Sequence, residues 1–241
     1  MSEREETLQV PEREKLPLSH VAIVMDGNRR WAELRKLPVI EGYREGARRF
    51  ESIAKRCQDF GIQVVTFYTL SIENLERPQE EVEAILNVLR EGLPSAFRRL
   101  EEKNARFCPL GDVSRFPVDI QTTIREAVVL TQDKEGIIVN LALAYGGRDE
   151  IRRAFQRILR ARVKEEEITE EVISRHLDTA AQPDPDLVIR TGGRHRLSNF
   201  LPWQAVYAEI YFTDVLWPDF TVEEFDKAIL WYHEQIRTLG R

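Results

Sequence analysis

Apolar residues in this chain fall into short unbroken runs, separated by longer stretches where they recur every three or four positions. The runs are VAIVM (21–25), IQVVTFY (62–68), ARFCPL (105–110), IIVNLAL (137–143), DLVIR (186–190) and AEIYFT (208–213). Each reads as a strand, and continuous rather than alternating apolarity points to strands covered on both faces. Helical periodicity fills 43–60, 78–103, 117–131, 148–163, 169–178 and 222–237. Gly61 closes the first of these at a C-cap position. In the second, Val82, Ile85, Leu86, Leu89, Leu93, Phe97 and Leu100 share one face, and Pro94 should kink or interrupt it. The last opens with Thr221 and Glu224 at capping-box spacing. Strands alternating with helices predict an α/β fold with a parallel sheet and helices on both faces. Ligands in such folds bind outside the carboxyl ends of the strands.

Composition narrows this picture. The 241 residues are enough for one large domain with a substantial core. We expect a mobile tail over 1–17 and a single domain over 18–241, since no repeat or low-complexity linker interrupts the chain. A formal net charge of −6 argues against a general nucleic-acid binder, which needs a coherent basic face. Cys57 and Cys108 match no metal or redox spacing. The charged first nineteen residues lack the apolar core of a signal peptide. No apolar run approaches the ~18 residues of a membrane span. A cytoplasmic protein is the expectation.

Candidate chemistry sits where strands end. Four polar stretches follow predicted strands directly: Asp26 to Trp31, SIENLERP (71–78), YGGRD (145–149) and RTGGRHRLSNF (190–200). Arg29, Arg30, Arg77, Arg190, Arg194 and Arg196 all lie at or just beyond strand ends. One such arginine is an ordinary surface charge; six at one edge suit a phosphate group, which the planar guanidinium matches. Gly27, Gly192 and Gly193 allow backbone N–H groups to approach the same anion. There is no Walker loop and no GxGxxG fingerprint, so a diphosphate site is favoured over nucleotide binding. Asp26, and more weakly Glu209, are candidate magnesium ligands, because Mg²⁺ takes one or two protein carboxylates and leaves the rest to water and phosphate. A turn aspartate and an ion-paired glutamate are the plain alternatives. Phe67, Leu70, Leu75, Ile137, Val139 and Leu141 line either an apolar tunnel or a packed core.

Taken in order, HVAIVMDGNRRWA (20–32), GYREG (42–46), TFYTLSIENLERP (66–78), GDVSRFP (111–117), NLALAYGGRDEI (140–151) and the stretch 186–220 resemble the cis-prenyltransferases, the Z-isoprenyl diphosphate synthases. The resemblance runs from about residue 18 to 225. It implies a six-stranded, mostly parallel sheet flanked by helices, with an apolar tunnel, usually in a homodimer. It implies an enzyme that condenses isopentenyl diphosphate with an allylic diphosphate starter, with Mg²⁺ as cofactor. On it, Asp26 binds the metal and assists departure of the allylic diphosphate, while Gly27, Asn28, Arg29 and Arg30 cradle that group and Trp31 packs beside it. Ser71, Asn74 and Arg77 match polar positions flanked by Ile72, Glu73 and Leu75, and Asn74 is tied to the proton-removal step. Arg190, Arg196 and Ser198, with neighbouring Leu197, match the isopentenyl diphosphate site, and Glu209 a second metal-linked carboxylate. Peripheral membrane contact at product release belongs to the same picture. The DDxxD motif of the all-helical trans enzymes is absent, since the chain contains no Asp-Asp pair.

The chain departs from the family pattern at four places. Tyr43 replaces a usual histidine, Val39 an arginine, Leu75 a tryptophan and Arg194 a glutamate. Thr69 and Ile137 sit where bulk is expected to limit a tunnel. An undecaprenyl-type lipid-carrier precursor and a short Z-farnesyl-type product therefore both stand. A non-catalytic polyprenyl-binding subunit and a magnesium-dependent diphosphate hydrolase are the readings from other classes.

Overall fold

The computed structural model describes residues 17–235. The expected tail over 1–17 and the end of the last predicted helix lie largely outside them. Six strands build one sheet: β1 (His20–Val24), β2 (Val64–Ser71), β3 (Arg106–Leu110), β4 (Ile138–Tyr145), β5 (Leu187–Arg190) and β6 (Glu209–Phe212). Their spatial order is β3-β4-β2-β1-β5-β6, and every pairing is parallel. All carboxyl ends therefore share one edge. β1, at the interior of the sheet, is buried along its whole length, which explains its continuous apolar run. Pro109 is tolerated because β3 is an edge strand.

Among the described residues seven α-helices cover the sheet: α1 (Asn28–Leu34), α2 (Val39–Asp59), α3 (Gln79–Glu102), α4 (Val118–Thr131), α5 (Gly147–Arg160), α6 (Glu170–Arg175) and α7 (Val222–Glu234). α2 ends as its glycine suggests. Gly61 adopts φ +72°, its N–H donates to Gln58 O and that of Ile62 to Cys57 O, a Schellman closure.

Three expectations need correction. The first is α1, which periodicity does not reveal: Ala32 is its one buried residue, so no apolar stripe announces it. The second is the interruption of α3, which stays a single helix through Pro94. An interior proline costs ~3 kcal/mol, and six buried apolar side chains on this helix, Ile85 to Leu100, outweigh that at ~1.5–3 kcal/mol each. The third is the capping box. Thr221 is the N-cap of α7 but makes no side-chain cap hydrogen bond, and Glu224 pairs instead with Lys227 at 2.5 Å.

The far end of the sheet, at the amino ends of the strands, holds a buried polar chain. His20 is fully buried, with Nδ1 2.7 Å from Pro183 O and Nε2 2.7 Å from Thr66 Oγ1. A carbonyl only accepts, so Nδ1 carries the proton and Nε2 accepts from the Thr66 hydroxyl. Thr66 Oγ1 in turn accepts from Asn140 Nδ2 at 2.8 Å. Burial pushes the His20 imidazole down from 6.5 to about 4. Among the described residues no helix is long and apolar enough to cross a membrane.

Candidate active site

The carboxyl edge of the sheet opens into a cavity of about 950 Å³. All six arginines picked out above, at 29, 30, 77, 190, 194 and 196, line it. So do Asp26, Gly27, Asn28, Tyr43, Ser71, Glu73, Asn74 and Ser198. The convergence follows from topology: β1, β2 and β5 are neighbours, and each ends in one of the polar stretches.

Asp26 is the centre of the charge arrangement. Arg30 Nη2 lies 3.2 Å from its Oδ1 and Arg190 Nη2 lies 3.0 Å from its Oδ2. Arg190 is almost fully buried. Its Nη1 donates to Ser198 Oγ at 2.8 Å and to the carbonyl of Arg196, while its Nε is buried without a protein partner among the described residues. A buried guanidinium donor left over in a cavity wall is what an anion would satisfy. Ser198 Oγ also accepts from Arg196 Nε at 3.2 Å, so its own proton is free for a ligand.

Backbone geometry holds these groups in place. Gly27 has φ +120°, and a Cβ there would lie 2.9 Å from Leu216 Cδ2. Gly192 has φ +81°, and a Cβ would lie 2.5 Å from Arg30 Nη2. Both conditions require glycine. The GYREG stretch is explained by contact rather than by chemistry. A Cβ on Gly42 would stand 2.1 Å from Asn28 O, and one on Gly46 2.3 Å from Asn28 Oδ1. These two glycines of α2 let α1 dock with no spacer, fixing the Asn28 backbone under Asp26.

The second strand end forms a tight turn. Ser71 N donates to Asn74 Oδ1 at 3.2 Å and Asn74 N to Ser71 Oγ at 3.1 Å, closing the 3-10 turn Glu73–Glu76. With Oδ1 so engaged, Asn74 presents Nδ2, a donor, to the cavity. Asn199, in the αL region at φ +63°, ties three motifs together. Its Nδ2 donates to Glu73 Oε1 at 3.1 Å, its Oδ1 accepts from Arg148 N at 3.0 Å, and its O accepts from Gly147 N at 2.8 Å. Burial alone would raise the Glu73 carboxyl, but hydrogen bonds from its own backbone, Asn199 and Ser71 outweigh it and hold it low.

Sequence reasoning missed Glu81. Arg77 Nη1 donates to Glu81 Oε1 at 2.8 Å and to Tyr43 Oη at 3.1 Å, and Tyr43 Oη donates to Glu81 at 3.2 Å. The signal was present, because Arg77 and Glu81 are four apart at a helix start. Burial raises the Tyr43 phenol above its usual range, so it stays a neutral donor.

Seven predicted positions are not brought to the cavity wall. Gly192 and Gly193 offer no free N–H to an anion, because these groups donate to Val215 O at 2.8 Å and Thr213 O at 2.9 Å. Trp31 Nε1 donates to Asp219 Oδ1 at 2.7 Å, with Arg35 stacked 4.2 Å from its ring. Ile72 lies beside Gly146, Leu75 packs on the main core, and Leu197 on the smaller cluster with Tyr68. Glu209 opens β6 opposite Leu187, whereas Arg190 faces Phe212. Three residues of strand, roughly 10 Å, separate its level from that of Arg190 within this chain. No group of three or more His, Cys, Asp or Glu suited to a metal occurs among the described residues. Asp26 alone fits a magnesium ion whose other oxygens come from diphosphate and water.

Beside the polar cavity lies an apolar one of about 270 Å³, walled by α2, α3 and the sheet. Met25, Asn28, Tyr43, Thr69 and Ile85 line both. Of the tunnel residues expected from sequence, Thr69 and Leu141 line it, as does the face of α3 at Ile85, Leu89 and Leu93. Phe67 and Val139 are fully buried in the packed core.

The sequence pattern of a family described as putative undecaprenyl diphosphate synthase matches residues 24–240. The isoprenyl transferase of Neisseria meningitidis serogroup B is 42% identical over 222 residues, covering 92% of this chain and 89% of that one. That of Clostridium perfringens is 38% identical over 231 residues, 94% and 91% of the two chains. Lavandulyl diphosphate synthase from Lavandula x intermedia, solved with dimethylallyl diphosphate, superposes with a TM-score of 0.89 at 34% identity, covering 93% of this chain and 98% of the other. A probable undecaprenyl diphosphate synthase from Campylobacter jejuni gives 0.80 at 34% identity, with 94% and 100% covered.

Proposed function

The chain belongs to the undecaprenyl diphosphate synthase family of isoprenyl transferases, and we propose that it joins isopentenyl diphosphate to an allylic diphosphate in a magnesium-dependent reaction, giving a Z-prenyl diphosphate. The observation that carries this is the convergence of six arginines and Asp26 in one cavity that abuts an apolar one. A charged head and a hydrocarbon tail are the two halves of a prenyl diphosphate. A solved relative holding dimethylallyl diphosphate has a ligand of the same class.

The residues divide the work. Arg29 and Arg30, with the Gly27–Asn28 backbone, face the allylic diphosphate, where negative charge grows as the carbon–oxygen bond breaks; donors fixed in advance stabilise that state. Arg190, Arg196 and Ser198 hold the second diphosphate, with Arg190 Nε and the Ser198 hydroxyl as unspent donors. Asn74 has no titratable base, so it orients the reacting group through Nδ2 rather than carrying the proton away. Asp26 would hold Mg²⁺, which supplies charge neutralisation at the diphosphate. Tyr43, held by Arg77 and Glu81, stands where the head and tail cavities meet.

The small size of the apolar cavity, about 270 Å³ with Thr69 in its wall, favours a short product over one of undecaprenyl length. We extend the same reading to a single cytoplasmic domain over 18–241 that works as a homodimer and touches the membrane peripherally when the product leaves; light scattering and vesicle flotation test the last two. The deciding experiment incubates purified protein with Mg²⁺, radiolabelled isopentenyl diphosphate, and geranyl or farnesyl diphosphate. Labelled prenyl products are expected. Release of diphosphate without a new carbon–carbon bond would instead make the protein a hydrolase, and no turnover at all a binding subunit.

A further inference from the structure

The apolar cavity has charge in its wall. Arg48 turns away to Glu45 at 2.6 Å, which leaves Glu51 on α2 and Arg99 on α3, joined by a tight ion pair. Beyond them a small void of about 20 Å³ continues between the same two helices toward Ala54, Leu100, Ile137 and Val139. Phe50, Glu51, Ala96 and Arg99 line both spaces. The ion pair therefore stands at their junction, bridging α2 to α3. Arg99 Nε is buried there without a protein partner among the described residues. Nearer the mouth the wall has open space at Gly92, where a Cβ would meet no atom within 4 Å.

We propose that the Glu51–Arg99 pair is the length stop for the growing prenyl chain; this rests on the prenyl-transfer reading above. From Ile85, which lines both head and tail cavities, to Arg99 is fourteen residues of α3, or ~21 Å at ~1.5 Å per residue. An isoprene unit adds four backbone bonds of ~1.5 Å, about 5 Å of reach. About four units therefore bring the hydrocarbon end to the pair. Both side chains are partly exposed, 40% for Arg99 and 38% for Glu51. Further growth must therefore push the pair apart and cover with hydrocarbon charged groups that now reach water, which is unfavourable. The stop is electrostatic rather than a bulky side chain, and Ile137 lies on its far side.

The test is product length for wild type, the double variant Glu51→Ala/Arg99→Ala, and the reversed pair Glu51→Arg/Arg99→Glu. Each is incubated with Mg²⁺, labelled isopentenyl diphosphate and geranyl diphosphate. Wild type is expected to accumulate products of about four to five units. The double alanine variant should shift the distribution longer by at least one unit, and the reversed pair should restore it. Arg99→Met keeps the volume without the charge and should also lengthen products, which covers a double variant that does not fold by circular dichroism. Prenyl products of unchanged length in both the double variant and Arg99→Met would overturn the length stop while leaving prenyl transfer intact. Absence of prenyl products from wild type would overturn both.

Discussion

Acid should weaken this fold at a point far from the candidate site, by an amount set at His20. Its imidazole titrates at about 4 in the folded chain against 6.5 for a free histidine, burial being the largest cause. Between those values the unfolded chain holds a proton that the native chain excludes. Stability is therefore unaffected above about 6.5, falls as pH drops through that window, and levels off below about 4. A gap of about 2.5 pH units at ~1.36 kcal/mol each amounts to about 3 kcal/mol. No discount for solvent screening applies, because His20 is fully buried. The cause is visible: a proton on Nε2 would meet the Thr66 hydroxyl hydrogen, and that hydroxyl already accepts from Asn140. The assay is urea unfolding followed by circular dichroism at pH 7.5 and 4.5, for wild type and His20→Gln. The variant loses a constant amount but no longer titrates. Wild type should lose ~2–3 kcal/mol more than the variant across that interval. At an m-value of about 3 kcal/mol/M this moves the midpoint by ~1 M further. Equal losses in the two proteins would refute the reasoning, since carboxylates common to both would then account for all the acid sensitivity.

Three further outcomes follow from the geometry. Gly46→Ala places a methyl 2.3 Å from Asn28 Oδ1 and 2.9 Å from Trp217 Cδ1. It should lower kcat/KM by ~10–100-fold through displaced diphosphate donors, with secondary structure retained by circular dichroism. Arg190→Ala removes the buried guanidinium and strips one partner from Asp26; steady-state kinetics should show kcat/KM for isopentenyl diphosphate falling ~10²–10³-fold, and a loss under threefold would deny it a role at the diphosphate. Tyr145→Phe deletes the 2.5 Å hydrogen bond to the buried Glu150 carboxyl, and urea unfolding should report a cost of ~1–3 kcal/mol.

The strands and the arginines at their ends were legible in the sequence for the same reason: a fully covered strand must be apolar, so the first charges after it mark the sheet's edge. Strand order was not legible, because which runs become neighbours is decided by packing between distant segments. α1 escaped notice because Asp-Gly-Asn looks like a turn and a single buried alanine leaves no period to detect. The Gly42–Gly46 contact with Asn28 was visible only as a motif, since a close approach leaves no trace in composition. Pro94 misled because propensity speaks for one residue and burial for six. Glu209 shows the limit of position along the chain: it stands at the start of β6, and in a parallel sheet the start of a strand is at the opposite edge from the end of its neighbours.

The two glycines of α2 have a mechanical consequence. Because α1 rests on them without a cushioning side chain, α2 and the diphosphate loop move as one body. The same helix carries Glu51 at the far end of the hydrocarbon space, so head and tail of a bound molecule press on opposite ends of a single lever. Strain produced by an overlong tail is felt at the loop that grips the head, and by reciprocity a tightly gripped head stiffens the seam against the tail. On the prenyl-transfer reading, grip on the head and control of tail length would be one property of one helix, and they would have to evolve together.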